Sequence, residues 1–456
     1  MKIVVLNGSP KGDVSVTMQY IAYLGKKFPE HSFEVLNIAQ DIRKIEKDPG
    51  VWNTIIDTIR SADMILWAFP LYYMLVCSQY KRFIELVFMR DAQQAFAGIY
   101  TVSLSTSIHF FDQTAHQYIH AVSDDLGMKY LGFFSAEMQD LLSSLERKRL
   151  EKFASLVFAE TEEKMPVQRE NPPLAASGFL YVPGPGQIPV NTGSKKVVIV
   201  TDSDGRSPNL AAMTDRIRNA FSGPVEIINL REIGMRGGCT GCCQCGYDNS
   251  CIYNDDYVDI FLEKLAPAEI IIMAGAVHDR YLSSVWKQFF DRSFFSGHIP
   301  SLEGKQIGFV ISGPLGQLPH LKEALAGWTE NGRCRALFVS DEVCGAPELD
   351  RFLDAMAKRL VQGSDTGYTP PPTFYGVGGH KIFRDFIFAR SRMVFQADYR
   401  YFVDHDLFDF PHKEYKVRLM NAILIPLTRV PAFRKKVFTG MKYHMTAPFR
   451  AVLKNA

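Results

Sequence analysis

The sequence predicts an α/β protein with two doubly wound parallel-sheet domains in tandem, followed by a helical, basic C-terminal extension. Short apolar, β-branched runs at residues 2–6 and 196–200 are each followed by a polar, glycine-containing loop and a helix-like segment. Such runs are typical of strands that are covered on both faces. Strands that alternate with helices favour a parallel sheet, and right-handed crossovers then place helices on both of its faces.

Further buried-strand runs follow in the same order in both copies. They lie at residues 64–69 and 98–104 in the first copy and at 270–274 and 306–312 in the second. In each copy the first of these further strands, at residues 64–69 or 270–274, is followed by an aromatic-bearing loop and a helix. The repeated order indicates a distant internal duplication.

Two breaks rich in proline and glycine divide the chain, and 456 residues are enough for two or three domains. Proline removes a backbone donor and glycine adds freedom, so residues 166–194 are predicted to be a linker. The second break begins at residue 363. We therefore predict domains at 1–165 and 195–362, and a linker with a helical extension at 363–456.

The composition is that of an ordinary globular protein, with 47% hydrophobic and 22% charged residues. No apolar run approaches the ~18–20 residues of a spanning helix. The start of the chain turns polar too early for a signal peptide. Together with thiols at metal-ligand spacing, this predicts a cytoplasmic protein.

A cysteine-rich loop is the most specific motif. Cys239, Cys242, Cys245 and Cys251 have the spacing C-x2-C-x2-C-x5-C, and Cys243 lies among them. So short a loop cannot form several disulfides without strain. It can surround one soft metal centre, and this spacing favours a [4Fe–4S] cluster. Zinc and redox-active thiols remain alternatives.

The loop after the first strand has the features of a phosphate site. It leads from a strand into a helix, where free backbone amides and the helix dipole attract anions. Ser9, Ser15 and Thr17 add hydroxyl groups. Without a closing Gly-Lys-Ser/Thr it is not a Walker motif, so it suits a terminal monophosphate. A simple strand-to-helix turn is the alternative.

These motifs together resemble the flavodoxin-fold NADPH-dependent FMN reductases. The resemblance rests on Gly8-Ser9-Pro10-Lys11, on the Pro-x-Tyr loop at residues 69–73 and on the helix motif at 79–84. Glu85 stands near the position of the usual aspartate of that motif. The resemblance implies flavodoxin-like domains and an FMN site formed by Ser9, Lys11, Ser15, Thr17, Pro70, Leu71, Tyr72, Tyr73, Ser105, Thr106 and Ser107.

The second copy is similar to the iron–sulfur flavoprotein branch of that family, whose cysteine motif also follows the second strand. It departs at the phosphate loop, where Asp202 replaces Gly8 and Asp204 replaces Pro10. Carboxylates repel a phosphate, so we predict one FMN per chain, bound in the first copy. In that branch the cluster faces a partner subunit's flavin, and a tandem chain could reproduce this arrangement by itself.

The predicted function is an NAD(P)H-dependent flavin/iron–sulfur oxidoreductase that passes electrons between FMN and the cluster. The resemblance demands no side-chain acid or base, so no classical catalytic residue is predicted. The alternatives are a non-catalytic electron-transfer or scaffold subunit and a zinc-stabilised flavin reductase. The expected partner is a redox protein or a small-molecule acceptor rather than nucleic acid, and homo-oligomerisation stays open.

The extension is strongly basic. From His380 onward it carries fifteen Lys/Arg against six Asp/Glu, although the whole chain has a net charge of only +2. Aromatic residues alternate with arginines between residues 383 and 402. This pattern suits peripheral contact with a membrane surface or docking to an acidic partner. It also suits a helical arm packed on the body of the same chain, which is the interpretation we favour.

Overall fold

The computed structural model describes residues 1–175, 178–343, 345–409, 414–447 and 449–455. Within them the chain forms two parallel sheets, and in each sheet the five strands of the continuous path, numbered in chain order, lie in the order 2-1-3-4-5. This is the 2-1-3-4-5 order of doubly wound, flavodoxin-like sheets. The predicted fold class is therefore confirmed. Cys344 lies outside the described residues.

The bounds of the elements are as follows. The strands are β1 Lys2–Asn7, β2 Ser32–Leu36, β3 Met64–Pro70, β4 Tyr100–Ser107, β5 Lys129–Glu137, β6 Val197–Thr201, β7 Val225–Asn229, β8 Ile270–His278, β9 Tyr281–Leu282, β10 Gln306–Ser312 and β11 Arg335–Ser340. The helices are α1 Val16–Lys27, α2 Ile38–Lys47, α3 Pro49–Arg60, α4 Ser78–Met89, α5 Asp112–Asp125, α6 Ser144–Glu162, α7 Pro208–Asn219, α8 Cys245–Asp248, α9 Asp256–Ile260, α10 Ser284–Arg292, α11 Pro319–Asn331, α12 Ala346–Thr366, α13 Phe374–Phe386, α14 Gln396–Asp404, α15 Tyr415–Leu427, α16 Pro431–Thr446 and α17 Phe449–Asn455.

The six apolar runs identified in the sequence are the inner strands of the two sheets. β1, β3 and β4 form the interior of the first sheet, and β6, β8 and β10 form that of the second. Each inner strand has neighbours on both sides and helices on both faces, which is why its residues are apolar without alternation. The edge strands are less buried and carry a weaker signal. β2 is largely exposed or half-buried along its length.

The two domains pack through matching helices. α4 follows the third strand of the first sheet, and α10 holds the same place in the second domain. The backbone N–H of Ser78 donates to Asp291 at 2.8 Å. In return, the Ser284 hydroxyl donates to Glu85 at 2.6 Å, and the Ser284 N–H donates to the same carboxylate. Each carboxylate thus caps the first turn of the opposite helix, where a negative charge is stabilising.

Two buried lysines complete this interface. Lys81 Nζ donates to the carbonyl of His278 at 3.0 Å, and Lys287 Nζ donates to that of Tyr72 at 2.7 Å. Lys81 also pairs with Glu85 at 3.4 Å, and Lys287 pairs with Asp291. The symmetry follows from a repeated Lys-x-Phe-x-acid motif, which is present once in each copy. The two copies therefore contact each other reciprocally within one chain, as the subunits of a symmetric dimer do.

Burial affects the two carboxylates differently. Burial raises the pKa of Asp291 to about 6, although Lys287 opposes this shift. Burial also acts to raise the pKa of Glu85, but Lys81 and the hydrogen bonds from Ser284 outweigh it, and the net shift is downward. The difference arises because Glu85 also pairs with Arg82 at 3.0 Å, whereas Asp291 is more deeply buried and pairs with only one cation, Lys287.

The segment between the domains is anchored to both of them. Arg280 Nη2 donates to the carbonyl of Pro172 at 2.6 Å. The Tyr181 side chain is buried, and its hydroxyl donates to Asp350 at 2.6 Å. Asn171 N–H donates to Asp124 at 2.8 Å. The predicted linker therefore lies as a strap along the protein surface.

The first part of the extension packs on the body. Phe383 contacts Phe110 edge-to-face, with ring centroids 5.2 Å apart. Ile387 is fully buried and Phe395 is 7% exposed. Arg390 forms an ion pair with Glu137 at 3.3 Å. For residues 374–401 the structure therefore agrees with the packed helical arm favoured from the sequence.

The chain divides into two compact units, Met1–Tyr401 and Phe402–Ala456. The larger unit contains both sheets and the packed part of the extension. Within its described residues, the smaller unit contains the end of α14 and the helices α15, α16 and α17. A search of the described helices finds none that is both long and apolar enough to cross a membrane.

Lys287→Met tests the interface. We expect it to lower the free energy of unfolding by about 3–5 kcal/mol, because it leaves the Asp291 carboxylate buried without its partner. The measurement is urea unfolding followed by circular dichroism. The matched control is Arg60→Met, which breaks the exposed Arg60–Asp57 pair (2.9 Å, side chains 60% and 70% exposed) and should cost about 0–1 kcal/mol. Equal losses in both variants would contradict this account of the interface.

A buried histidine lies beneath the carboxyl end of β4. His116 is 2% exposed, and its Nδ1 and Nε2 atoms lie 2.8 Å from the hydroxyls of Ser103 and Ser105, respectively. Burial lowers the pKa of His116 from 6.5 to about 4. His109, half-exposed on the following loop, shows the opposite shift, because its hydrogen bond to Asp112 raises its pKa.

These shifts predict opposite effects on stability at acid pH. A lowered histidine pKa gives stability that is present above pH 6.5 and is lost as the pH falls towards 4. His116→Gln should therefore reduce the slope of the unfolding free energy between these values. His109→Gln should leave this slope nearly unchanged, because a raised pKa gives stability that is fully present below pH 6.5 and is lost only as the pH rises through the raised value. Urea unfolding at a series of pH values measures both slopes, and an unchanged slope in His116→Gln would refute the assignment.

Candidate functional site

The candidate phosphate loop closes the carboxyl end of β1. Ser9 and Ser15 are buried, and the Ser15 hydroxyl accepts the N–H of Met18 at 3.2 Å and so caps α1. The hydroxyl of Ser9 accepts the N–H of Lys11 at 3.2 Å, while Lys11 itself is exposed. The loop therefore collects hydroxyl groups at a helix start, as the sequence predicts for an anion site.

A third loop brings further hydroxyl groups to the same end of the sheet. Thr106, at the end of β4, lies with its hydroxyl 2.6 Å from that of Thr17 in α1. Its carbonyl accepts the N–H of Leu71 at 3.2 Å. Ser105 and Ser107 are buried beside it. The structure thus brings together members of all three groups of predicted FMN residues.

The Pro-x-Tyr loop contains a strained turn. After Pro70, Tyr73 and Met74 have φ angles of 42° and 67°, in the left-handed region that residues other than glycine rarely adopt. The equivalent residues of the second copy, Asp279 and Arg280, have φ angles of 46° and 67°. The same turn is thus built twice, and strain of this kind persists only where the surrounding packing enforces it.

In the second copy, the equivalent end of the sheet is open but acidic. A cavity of about 570 Å³ is lined by Ser203 and Arg206 together with Asp202, Asp204 and Asp341. Burial raises the pKa of Asp202, which accepts hydrogen bonds from the Ser283 hydroxyl and the Trp286 ring nitrogen. Asp341 accepts the N–H of Gly313 at 2.6 Å. Carboxylates therefore face the position where a phosphate would bind.

The cysteine loop surrounds a second, smaller cavity. All four predicted ligands and Cys243 line this space of about 40 Å³. Burial raises the pKa of Cys239 to about 12, and burial together with the neighbouring thiols raises that of Cys245. The N–H of Gly241 donates to the sulfur of Cys239 at 3.4 Å. The loop thus places five thiols along the wall of one small cavity.

Within the described residues, no group of three or more His, Cys, Asp or Glu side chains is close enough to hold a metal ion. The metal site predicted from the cysteine spacing therefore remains a prediction. In the part of the chain that the structure describes, the cysteines are free thiols and form no disulfide.

Three residues around this cavity were not identified from the sequence. His298 Nε2 lies 3.2 Å from the sulfur of Cys245, and its Nδ1 lies 2.8 Å from Asp398 on α14. Arg292 stacks on Tyr253, 4.5 Å from the ring centre, and its Nε is buried with no hydrogen-bond partner among the described residues. In the sequence His298 is 53 residues from Cys245 and 100 residues from Asp398, so no local motif could reveal this group.

The cysteine loop of the second domain lies on the predicted flavin loops of the first. Gln79 Nε2 donates to the carbonyl of Cys239 at 3.2 Å. Gly241 faces Tyr72 so closely that a side chain there would collide with the tyrosine hydroxyl, and Lys11 lies beside it. Burial, with smaller contributions from nearby thiols including Cys239, raises the pKa of Tyr72. The two predicted cofactor regions are thus in direct contact.

Comparison with known structures returns small flavoenzymes, each matching about a third of this chain. An NADH:FMN oxidoreductase (EMOB, apo form) is 16% identical, covering 37% of this chain and 91% of its own at a TM-score of 0.30. The NAD(P)H:acceptor oxidoreductase FerB from Paracoccus denitrificans is 17% identical, with coverages of 36% and 97% and a TM-score of 0.30. An FMN-dependent NADH-azoreductase from Bacillus anthracis is 14% identical, with coverages of 36% and 100% and a TM-score of 0.27.

Family models match both domains, whereas no curated protein matches the chain. Residues 1–155 match the model of the flavodoxin-like fold, and residues 196–342 match that of the NADPH-dependent FMN reductases. The two matches cover the two sheets in turn. Residues 1–155 therefore form a flavodoxin-like domain and residues 196–342 an NADPH-dependent FMN reductase domain, in tandem, and the chain is an FMN-dependent oxidoreductase.

Proposed function

We propose that the chain is an NAD(P)H-dependent flavin/iron–sulfur oxidoreductase that works in the cytoplasm and delivers electrons to a redox protein or a small acceptor. FMN binds in the first domain, and Cys239, Cys242, Cys245 and Cys251 of the second domain hold a [4Fe–4S] cluster. One observation carries this proposal. The cysteine loop of one domain packs on the flavin loops of the other, through Gln79, Tyr72 and Gly241.

The choice of the first domain for FMN rests on charge. Its phosphate loop presents the hydroxyls of Ser9, Ser15 and Thr17 at a helix start. The corresponding cavity of the second domain is lined by Asp202, Asp204 and Asp341. A phosphate dianion is attracted by hydroxyls and a helix dipole, and it is repelled by carboxylates.

The cysteine loop suits a cluster through its donor set and its surroundings. Thiolates are the soft ligands that iron–sulfur clusters require. Phe294 and Phe295 line the cavity and limit the access of water. Arg292, buried and paired with Asp255 at 2.8 Å, lies near Cys251 and offsets part of the negative charge of thiolates there. These features are independent of the cysteine spacing that first suggested the site.

When bound, FMN exchanges two electrons with a nicotinamide as hydride, whereas a four-iron cluster exchanges one electron at a time. The side chains of this protein position both groups and exclude water. Asp398 accepts from Nδ1 of His298 and so fixes the ring with Nε2 3.2 Å from the sulfur of Cys245, and Nε2 donates to that sulfur when the ring carries both protons. A hydrogen bond to that sulfur stabilises negative charge, so His298 and Asp398 act as positioning residues.

The first prediction for this function concerns iron. Protein purified without oxygen should contain about four irons per chain and absorb broadly in the visible range. Cys242→Ser should abolish the iron, whereas Cys243→Ser, which removes the neighbouring thiol outside the predicted ligand set, should not. Metal analysis of the three proteins is the measurement. Stoichiometric zinc without iron would contradict the cluster and would indicate a zinc-stabilised flavin reductase instead. Bound FMN and iron with negligible NAD(P)H turnover would indicate a non-catalytic electron carrier.

The second prediction concerns flavin. Ser9→Asp should expel FMN, because it places a carboxylate against the phosphate. The matched control is Ser203→Asp at the equivalent position of the second copy, which should leave one FMN per chain. Absorbance after gel filtration gives the flavin content of both variants. Two tightly bound FMN per wild-type chain, or loss of flavin only in Ser203→Asp, would overturn the assignment to the first domain.

A further inference from the structure

The end of the chain differs from the rest in charge. Residues 415–456 contain nine Lys/Arg and no Asp or Glu. They belong to the smaller compact unit, Phe402–Ala456. The packed part of the extension, residues 374–401, belongs to the larger unit, so the basic tail of the sequence is divided between the two units.

Helix α16 has two distinct faces. Phe433, Val437, Met441 and Met445 recur every four residues and therefore lie along one side of the helix. Lys435 and Lys436 lie away from that stripe. A helix of a folded protein normally buries its apolar side. Here Met441 and Met445 are 39% and 67% exposed, and Phe438, beside the stripe, is 66% exposed, so the later part of this side faces solvent.

Helix α15 is more apolar and just as exposed. Leu419, Ile423 and Ile425 are 65%, 62% and 64% exposed, and none of the residues of this helix is buried. The cations Lys416 and Arg418 lie in its first turn. Two successive helices thus present aliphatic side chains together with positive charge.

We infer that residues 415–455 form a peripheral binding element for the surface of an anionic lipid bilayer. Phosphate-bearing headgroups match the nine cations, and the acyl boundary takes up the exposed aliphatic side chains. Nucleic acid would satisfy the charge but would leave the aliphatic side chains in water. An acidic protein would need an apolar groove complementary to both helices. The inference does not depend on which cofactors the two domains bind.

Vesicle flotation of the full-length protein tests this inference. We expect binding to mixed phosphatidylglycerol–phosphatidylcholine vesicles, and at least about tenfold weaker binding to pure phosphatidylcholine. Binding should fall as salt increases, because exposed charges are screened over about 8 Å at 0.15 M ionic strength. Equal binding to both kinds of vesicle, or binding to neither, would overturn the inference. So would binding to an acidic protein or an oligonucleotide in the absence of vesicle binding.

Matched variants separate charge from apolar contact. Lys435→Glu with Lys436→Glu, and separately Phe438→Ser with Met445→Ser, should each weaken vesicle binding by about tenfold or more. Lys44→Glu with Lys47→Glu makes the same change of charge on exposed residues of α2 and should leave binding unchanged. Unchanged bound flavin and circular dichroism show that each variant is folded. A loss of binding in the α2 control as large as in α16 would mean that only net charge matters, and it would refute a specific element.

Discussion

One buried lysine–carboxylate pair in α4 and one in α10 hold the two domains together, because each pair also contacts the other domain. Lys287 and Asp291 are both buried, and each also contacts the first domain, through the Tyr72 carbonyl and the Ser78 amide. Such groups are stable only with their partners in place, since an unpaired buried charge is costly. The interface is therefore specific as well as stable. The position of the cysteine loop on the first domain depends on it.

Duplication allows the two copies to diverge at their strand ends. The first copy keeps hydroxyl groups at its phosphate loop, whereas the second carries Asp202 and Asp204 and gains the cysteine loop after its second strand. Because the cysteine loop lies on the predicted flavin loops of the first copy, the proposed cofactor sites need only one set of residues from each copy. The strained turn occurs in both copies, at Tyr73 and at Asp279, and the preceding residues Tyr72 and His278 accept hydrogen bonds from the buried interface lysines.

Much of the fold could be predicted from the sequence, because buried strands and helix starts leave local signals. The six inner strands are continuous apolar runs, and the loop from Ser9 to Thr17 shows its hydroxyls directly. The edge strands β2, β5, β7 and β11 were not identified. They have a neighbour on one side only, so their residues vary more freely in polarity. The repeated Lys-x-Phe-x-acid motif could have revealed Asp291 as the counterpart of Glu85.

By itself, the sequence determined the fold class, the duplication and the grouping of the thiols, because each depends on residues close together in the chain. Only the tertiary structure decided which groups meet across the domains. His298 and Asp398 reach Cys245 from distant segments, and the cysteine loop contacts Tyr72 of the other domain. Contacts between distant segments depend on how the helices and sheets pack, and packing leaves no periodic pattern in the sequence.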